Sequence, residues 1–317
     1  MADHKIFFAT DIHGSDRCLR KFLNAGKFYG VDAVVMGGDI TGKMIVPIVE
    51  EAGGQFSASL FGRKRLVDAD GLPALRKFIA DAGYYAQPMT PAEVAALHDD
   101  PAAVDELFRK LMHETMSTWL DLAEDRLAGT GIQCIFAPGN DDPFFLDELL
   151  SSSATVINPE GQVTELPGGF PMISVGYSNR TPWDSPRELD EADLADVIER
   201  QVATLPDPSK AIFNLHVPPK DTPIDQAMAL DREFRPVVKG GSPVITGVGS
   251  SAVRDAIAKH QPILSLHGHI HESRGEARIG RTLALNPGSE YSEGVLRGVI
   301  VTLSSKKGLR GYQLVSG

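Results

Sequence analysis

Cysteine is scarce in this chain, which carries only Cys18 and Cys134. Neither sits in a Cys-x-x-Cys pair, and two thiols cannot build a disulfide framework or a sulfur-ligated structural zinc site. The expectation is therefore two reduced core thiols. Long apolar runs are also missing, and none approaches the ~18 residues that a membrane helix needs. The start, Met1 to Lys5, leads into a short apolar run without the features of a signal peptide. Positive charge is in deficit, with 31 Lys and Arg against 42 Asp and Glu, a net charge of −11. That balance argues against a general nucleic-acid or anionic-membrane binder, because phosphate backbones are bound by clustered Lys and Arg. Bound divalent cations can still make one pocket locally positive. A soluble, cytoplasmic protein is expected.

The composition is 42% hydrophobic and 23% charged over 317 residues, enough for one large α/β domain. Lys5–Thr10 reads as a buried strand, Asp16–Phe28 as a helix with Leu19, Phe22 and Leu23 on one face, and Ala33–Met36 as a second strand. This β-α-β spacing implies a parallel pair covered on both faces. Gln55–Val67 reads as a hairpin bearing Arg63-Lys64-Arg65, and Gly71–Ala82 as a helix. Thr90-Pro91-Ala92-Glu93 is a capping box. Asp100 starts a long helix to about Leu127, with Val104, Leu107, Phe108, Leu111, Thr118 and Leu122 at helical spacing. Strands follow at Ile132–Ala137, Lys210–Leu215 and Ile263–His267, with helices at Pro186–Leu205 and Ser250–His260. Pro218–Pro243 reads as a Pro- and Gly-rich loop near the mouth of a site, and the tail from Thr282 is strand-rich.

What the chain does have is Leu266-His267-Gly268-His269-Ile270-His271, three of its nine histidines within five residues. Imidazole is the commonest metal ligand. Upstream partners each follow an apolar run as well: Asp11-Ile12-His13, Gly38-Asp39, Gly139-Asn140 and His216. Open α/β sheets place ligands just beyond the carboxyl ends of their strands, so residues distant in sequence would share one cleft. Mixed Asp, His and Asn ligation suits Mn, Fe, Zn or Co and not the all-oxygen shells of Ca or Mg. Asp11, His13, Asp39, Asn140, His216, His269 and His271 are too many for one tetrahedral ion. With one shared carboxylate they serve two ions, the arrangement that hydrolyses phosphate esters. His267, just before the motif glycine, is expected to pack or to support these ligands. His4, His98, His113 and His260 are expected at the surface.

These motifs resemble those of the calcineurin-like metallophosphoesterase superfamily: D-x-H, G-D-x-x-D, G-N-H-D/E, H and G-H-x-H, in that order. The resemblance spans residues 5 to 290, and Asn286-Pro287-Gly288-Ser289 adds to it. It implies a four-layer αββα sandwich, two mixed sheets flanked by helices. It also implies that Asp11, His13 and His271 hold one metal, that Asn140, His216 and His269 hold the other, and that Asp39 bridges them. Manganese is the favoured ion, and a hydroxide between the metals would attack phosphorus in line with the leaving oxygen.

The chain departs from that pattern in three places. Gly42 replaces the second Asp of G-D-x-x-D. Asp141 replaces the His of G-N-H-D, in Gly139-Asn140-Asp141-Asp142. A carboxylate beside two dications stays ionised and is a poor proton donor, and it repels a dianionic monoester more than a monoanionic diester. The reading is a phosphodiesterase acting on a small-molecule phosphoester, with Asn140, Asp141 and Asp142 as candidate catalytic residues. The alternatives are a phosphomonoesterase or protein phosphatase, for which Asp142 or a water supplies the proton, and a catalytically inactive metal-binding scaffold. The third departure is the long gap between Asp39 and Asn140. Residues 44–100 are read as a family-specific insertion that covers the site within a single 1–317 domain. Arg63 and Arg180 are candidate substrate contacts.

Overall fold

The computed structural model describes residues 3–231 and 233–317. Two six-stranded sheets form its centre. In the first, the strands run in the order Gly308–Ser316, Arg297–Ser304, Asp3–Ala9, Ala33–Met36, Gln133–Phe136, Val156–Ile157. In the second the order is Gly275–Ile279, Thr282–Asn286, Leu264–Leu266, Ile212–Leu215, Phe170–Val175, Thr164–Leu166. Both sheets are mixed: parallel pairs lie at their centres, with antiparallel pairs at both edges of the second sheet and at one edge of the first.

Side chains alternate across a strand, and that alternation builds the layers. Ile6 and Phe8, Ala33 and Val35, and Ile135 face the second sheet, where they meet Met172, Ile212, Leu264, Leu266 and Leu285. Their neighbours Phe7, Ala9, Val34, Met36 and Phe136 face outward onto helices α1 (Asp16–Tyr29), α4 (Pro101–Leu127) and α5 (Phe145–Ser151). Ile173, Val175, Phe213 and Leu215 turn to the opposite side of the second sheet, onto α6 (Glu191–Val202) and α7 (Ser251–His260). The result is an αββα sandwich. Its central strands are continuously apolar because both of their faces are covered. Truncating Phe8, fully buried between the sheets, to Ala would cost roughly 3–5 kcal/mol. Cys18 and Cys134 are buried free thiols in the outer core. No helix among the described residues is long and apolar enough to cross a membrane.

Residues 45–89 form a four-stranded sheet of their own, packed on α2 (Leu72–Asp81) around Val46, Ile48, Leu60, Leu75 and Ile79. The lobe attaches behind the first site loop. Ser15 Oγ donates to the Asp81 carbonyl at 2.7 Å, and Gly42 N donates to the Tyr85 hydroxyl at 2.9 Å. Helix α3 (Pro91–His98) follows, capped by Thr90 and Glu93 as the capping box predicts.

Several expected boundaries shift. The helix expected at 186–205 is only Glu191–Val202, because Arg187 and Glu188 are engaged in loop contacts. The buried face of α4 is Met112, Met116, Trp119, Leu120, Ala123 and Leu127, not the expected stripe. The N-terminal half of that helix stands clear of the sheet and borders a cavity instead. The 218–243 loop contains short paired strands, Gln226–Met228 with Ile245–Gly247 and Val238–Lys239 with Ser242–Pro243.

Candidate metal centre

Asp11, Asp39 and Asn140 follow the parallel strands Asp3–Ala9, Ala33–Met36 and Gln133–Phe136 of the first sheet. His216, His269 and His271 follow Ile212–Leu215 and Leu264–Leu266 of the second. The carboxyl ends of both sheets meet along one edge, and the seven residues lie together there.

Their loops are laced to one another. Asp11 N donates to the Gly38 carbonyl at 2.9 Å, and Gly268 N donates to the His216 carbonyl at 2.9 Å. His269 N donates to both oxygens of Asp11, at 3.0 and 3.1 Å, and Asp141 N donates to Asp39 Oδ1 at 3.0 Å. The Asn286–Ser289 turn braces the whole from below: Asn286 Nδ2 donates to the Ile270 carbonyl at 3.0 Å and Ser289 Oγ to the Asp11 carbonyl at 2.6 Å. Two motif glycines are dictated by these contacts. A Cβ on Gly139 would lie 2.2 Å from Asp39 Oδ1, and one on Gly268 would lie 2.3 Å from Asp11 Oδ2.

Four of the seven residues hold left-handed backbone: Asp11 (φ 54°), His13 (39°), Asp39 (51°) and His269 (65°). Such conformations cost roughly 1–3 kcal/mol each and gather where function over-determines the backbone. Here each aims a side chain back over its strand end.

The donors fall into two separate triads, Asp11, His13, His271 and Asp39, His216, His269, and a third group, His13, Asp39, Asp141, overlaps both. His13 Nε2 is 3.0 Å from His271 Nε2, and His271 Nε2 is 3.4 Å from Asp11 Oδ1. His216 Nε2 is 3.3 Å from Asp39 Oδ1, and His269 Nδ1 is 2.7 Å from Asn140 Oδ1. Asp39 serves both sides, since its Oδ2 lies 3.5 Å from His13 Nε2.

His216 tests whether this donor set fits a metal. Its Nδ1–H donates to the Gly37 carbonyl at 3.2 Å, so Nε2 faces the carboxylates. That Nε2 is buried with no hydrogen-bond partner among the described residues. Either a proton held between it and the carboxylates or a bound cation would satisfy such an atom. Burial alone would lower His216, but Asp39 and Asp11 outweigh it and hold the imidazole up to about 9. His269 moves the other way, to about 4, through burial and the neighbouring His216 charge. Burial would raise the Asp11 carboxyl, but the three histidines around it hold it well below the usual carboxylate range. A divalent ion coordinates neutral imidazole and ionised carboxylate, so binding there would displace the proton that Asp39 and Asp11 hold on His216.

The other candidate residues are placed as follows. Asp142 does not face the centre. Its carboxylate accepts from Ile40 N, Thr41 N, Thr41 Oγ1 and Gly139 N, all at 2.7 to 3.1 Å, so it clamps the Asp39 loop to the Asn140 loop. Burial pushes that carboxyl up to about 6. Asp141 does face the centre, and its charge is not bare. Lys43 Nζ lies 2.5 Å from Oδ2, while Ser185 Oγ and Asn140 Nδ2 donate to Oδ1 at 2.6 and 3.0 Å. This pairing removes much of the repulsion toward a dianionic monoester that Asp141 by itself would exert. Arg180 borders the cavity, but its guanidinium is engaged by Asp190 at 3.1 Å and Asp184 at 3.8 Å. Arg63 lies exposed on the outer strand of the 45–89 lobe and does not reach the cavity. Nor does the rest of that lobe cover the site. The cavity, about 1190 Å³, is walled by Phe108 and Met112 of α4, by the 179–186 loop and by the 226–248 strands. His267 is buried, with Nδ1 donating to the Leu215 carbonyl at 2.7 Å, so it ties two strands together. His260 is half-buried against Glu199 at 2.9 Å rather than free at the surface.

Sequence reasoning missed Lys43, Ser185, Tyr291 and Arg187. Lys43 directly follows Gly38-Asp39-Ile40-Thr41-Gly42, so its place just past the motif was the available signal. The Tyr291 ring packs 4.8 Å from that of His13, behind Asn286–Ser289. Arg187 gave no signal, because a lone arginine in a loop reads as solvated.

Comparison with solved structures matches this arrangement at the level of fold. The protein TT1561 of Thermus thermophilus superposes over 100% of this chain and 99% of its own, with a TM-score of 0.50 at 14% identity. The αββα fold is shared with that protein. A novel archaeal phosphodiesterase aligns over 99% of both chains, at 13% identity and a TM-score of 0.39. An uncharacterized protein of Methanocaldococcus jannaschii is 29% identical over 160 residues, which are 49% of this chain and 64% of that protein. The match thus spans less than two thirds of that relative. No protein-family model matches the chain. In the αββα fold of this chain, the sheet edge that carries these donors opens directly into the 1190 Å³ cavity.

Proposed function

We propose that the protein is a phosphodiesterase that works with two divalent transition-metal ions, manganese favoured. The observation that carries this reading is the pair of buried triads, Asp11/His13/His271 and Asp39/His216/His269, on a shared edge with Asp39 between them. Asp11, His13 and His271 would hold one ion, Asn140, His216 and His269 the other, and Asp39 both. Bound there, the ions would supply Lewis-acid charge at the phosphoryl oxygens and a nucleophile at neutral pH.

The chain's own residues then limit the substrate. The Asp141 carboxylate is taken up by Lys43, Ser185 and Asn140, so it accepts hydrogen bonds and donates none. Burial would lower the Lys43 ammonium, but Asp39 and Asp141 outweigh it and hold it protonated, a fixed cation within reach of a phosphoryl oxygen. With Asp142 turned into the loops and the histidines taken as ligands, no proton donor matched to neutral pH faces the leaving group. This favours esters whose leaving group departs without strong acid assistance. A phosphomonoesterase is the second reading, favoured by the Lys43–Asp141 pair, which makes the floor less hostile to a dianion.

The test is hydrolysis of bis-p-nitrophenyl phosphate against p-nitrophenyl phosphate with manganese present, alongside the metal content of Asp39→Ala. Diester preference in the wild type, with loss of both metal and turnover in the variant, is expected. Full activity in Asp39→Ala would sink the dinuclear reading, and a monoester preference would select the second.

A further inference from the structure

The cavity is far larger than a phosphate group, and its upper walls differ in character from its floor. The floor holds the triads, Asp141 and Lys43. The walls carry Phe108 and Met112 on one side and Trp183, Met228 and Leu230 on the other. Beyond Trp183 the apolar surface continues onto the rim. Trp183 is 65% exposed, Phe234 is 52% exposed, and their ring centroids are 6.4 Å apart. Met228 pairs in register with Ile245 across two short strands, and these side chains are 45% and 55% exposed. Soluble surfaces rarely gather exposed apolar side chains without a partner for them, least of all around the mouth of a site.

The charges on the rim sharpen the point. Arg180 is paired with Asp190 and Asp184, and Arg235 with Asp231 and Glu233, so these guanidinium groups already have carboxylate partners. The Trp183 and Phe234 rings are tilted by 32°, so they are not parallel faces between which a nucleobase would stack. Met228, Leu230 and Ile245 are aliphatic and impose no direction on what they cover.

We propose that the substrate is an amphiphilic phosphodiester, its phosphate at the metal centre and a hydrocarbon chain lying along Trp183, Met228, Phe234 and Ile245. The inference rests on the phosphodiesterase reading for the end held at the centre.

Trp183 supplies a probe that does not depend on turnover. The chain has two tryptophans, and the other, Trp119, is 2% exposed in the core. Titration of the protein with dihexanoyl- and diheptanoylphosphatidylcholine, both below their micelle concentrations, should blue-shift the emission. The longer chain should bind more tightly, by up to about fourfold per methylene buried. In Phe234→Ser, kcat/KM for the short-chain lipid relative to bis-p-nitrophenyl phosphate should fall about tenfold. Cosedimentation with phosphatidylcholine vesicles then identifies the source. Binding to vesicles assigns a lipid surface, and binding to monomers alone assigns a soluble amphiphile.

Emission indifferent to both lipids, or affinity independent of chain length, overturns the proposal, as does quenching by a nucleoside monophosphate in their place. If chain-length-dependent binding appears while no phosphoester is hydrolysed, the apolar subsite stands and the phosphodiesterase reading falls. If bis-p-nitrophenyl phosphate is turned over without any chain-length effect, the reverse holds.

Discussion

The Lys43 ammonium lies 2.5 Å from a carboxylate oxygen of Asp141, at the edge of the donor cluster. Substitution of Lys43 by Met would uncover the Asp141 charge. The uncovered charge would act on two negative charges of a monoester dianion and on one of a diester. Lys43→Met should therefore lower kcat/KM for p-nitrophenyl phosphate roughly tenfold more than for bis-p-nitrophenyl phosphate, given a Coulomb energy of a few kcal/mol at this range. Equal losses on the two esters would show that the pair is not read by the substrate.

Arg187 is a fully buried arginine, and its partners explain why. Its Nε donates to the Asp142 carbonyl at 2.8 Å, and Nη2 donates to the Pro143 carbonyl at 3.2 Å and to Asp147 at 2.8 Å. Its backbone N–H donates to the Asn140 carbonyl at 3.1 Å. Arg187→Met should cost about 3–5 kcal/mol, because it strands buried acceptors. It should also weaken manganese binding through the Asn140 loop. Arg187→Lys should restore only part of this, lacking the planar fork. Urea midpoints and metal titrations check both effects, and a variant as stable as wild type would refute the clamp.

Glu160 is half-buried, and Gly176 N donates to its carboxylate at 2.9 Å. Burial pushes its carboxyl from 4.5 up to about 7. The folded state thus holds a proton that the unfolded state has lost, and stability falls as pH rises through that window. The contribution is fully present below pH 4.5 and gone above about pH 7, at most about 3 kcal/mol. Glu160→Gln keeps the acceptor and removes the charge. It should be more stable than wild type at pH 8 and no more stable at pH 4.5. Parallel stability–pH curves for the two proteins would refute the assignment.

Gly268 leaves no room for a side chain. An added Cβ would stand 2.2 Å from Thr10 Oγ1 and 2.3 Å from Asp11 Oδ2. Gly268→Ala should displace the Asp11 carboxylate and lower affinity for one of two manganese ions, at an overpacking cost of about 1–3 kcal/mol. Unchanged manganese stoichiometry and affinity, measured calorimetrically, would count against it.

Much of this site was legible in the order of residues alone. Each candidate donor lies just after an apolar run, and in a doubly covered sheet such a residue has nowhere to lie except the strand end. The sandwich was legible for the same reason: continuous runs such as Ile6 to Ala9 require cover on both faces. Where the reading failed, the cause was side-chain direction. Asp141 and Asp142 are neighbours of one residue type, yet one faces the centre beside Lys43 while the other turns back to bind Ile40, Thr41 and Gly139. The stripe on α4 was misassigned because helical periodicity does not say where along its length a helix leaves the sheet. Residues 44–100 are expected to cover the site, and the 45–89 lobe within them packs behind His13, through contacts that have no local signature.

The amino-acid sequence by itself determined the candidate donor residues, their order along the chain and the layered sandwich, because strand periodicity and strand-end chemistry are local properties. Only the tertiary structure decided that Asp142 turns away from the centre, that Lys43 pairs with Asp141, and that an apolar rim surrounds the cavity. Those are contacts between segments tens to hundreds of residues apart, and they exist only once two sheets have closed on each other.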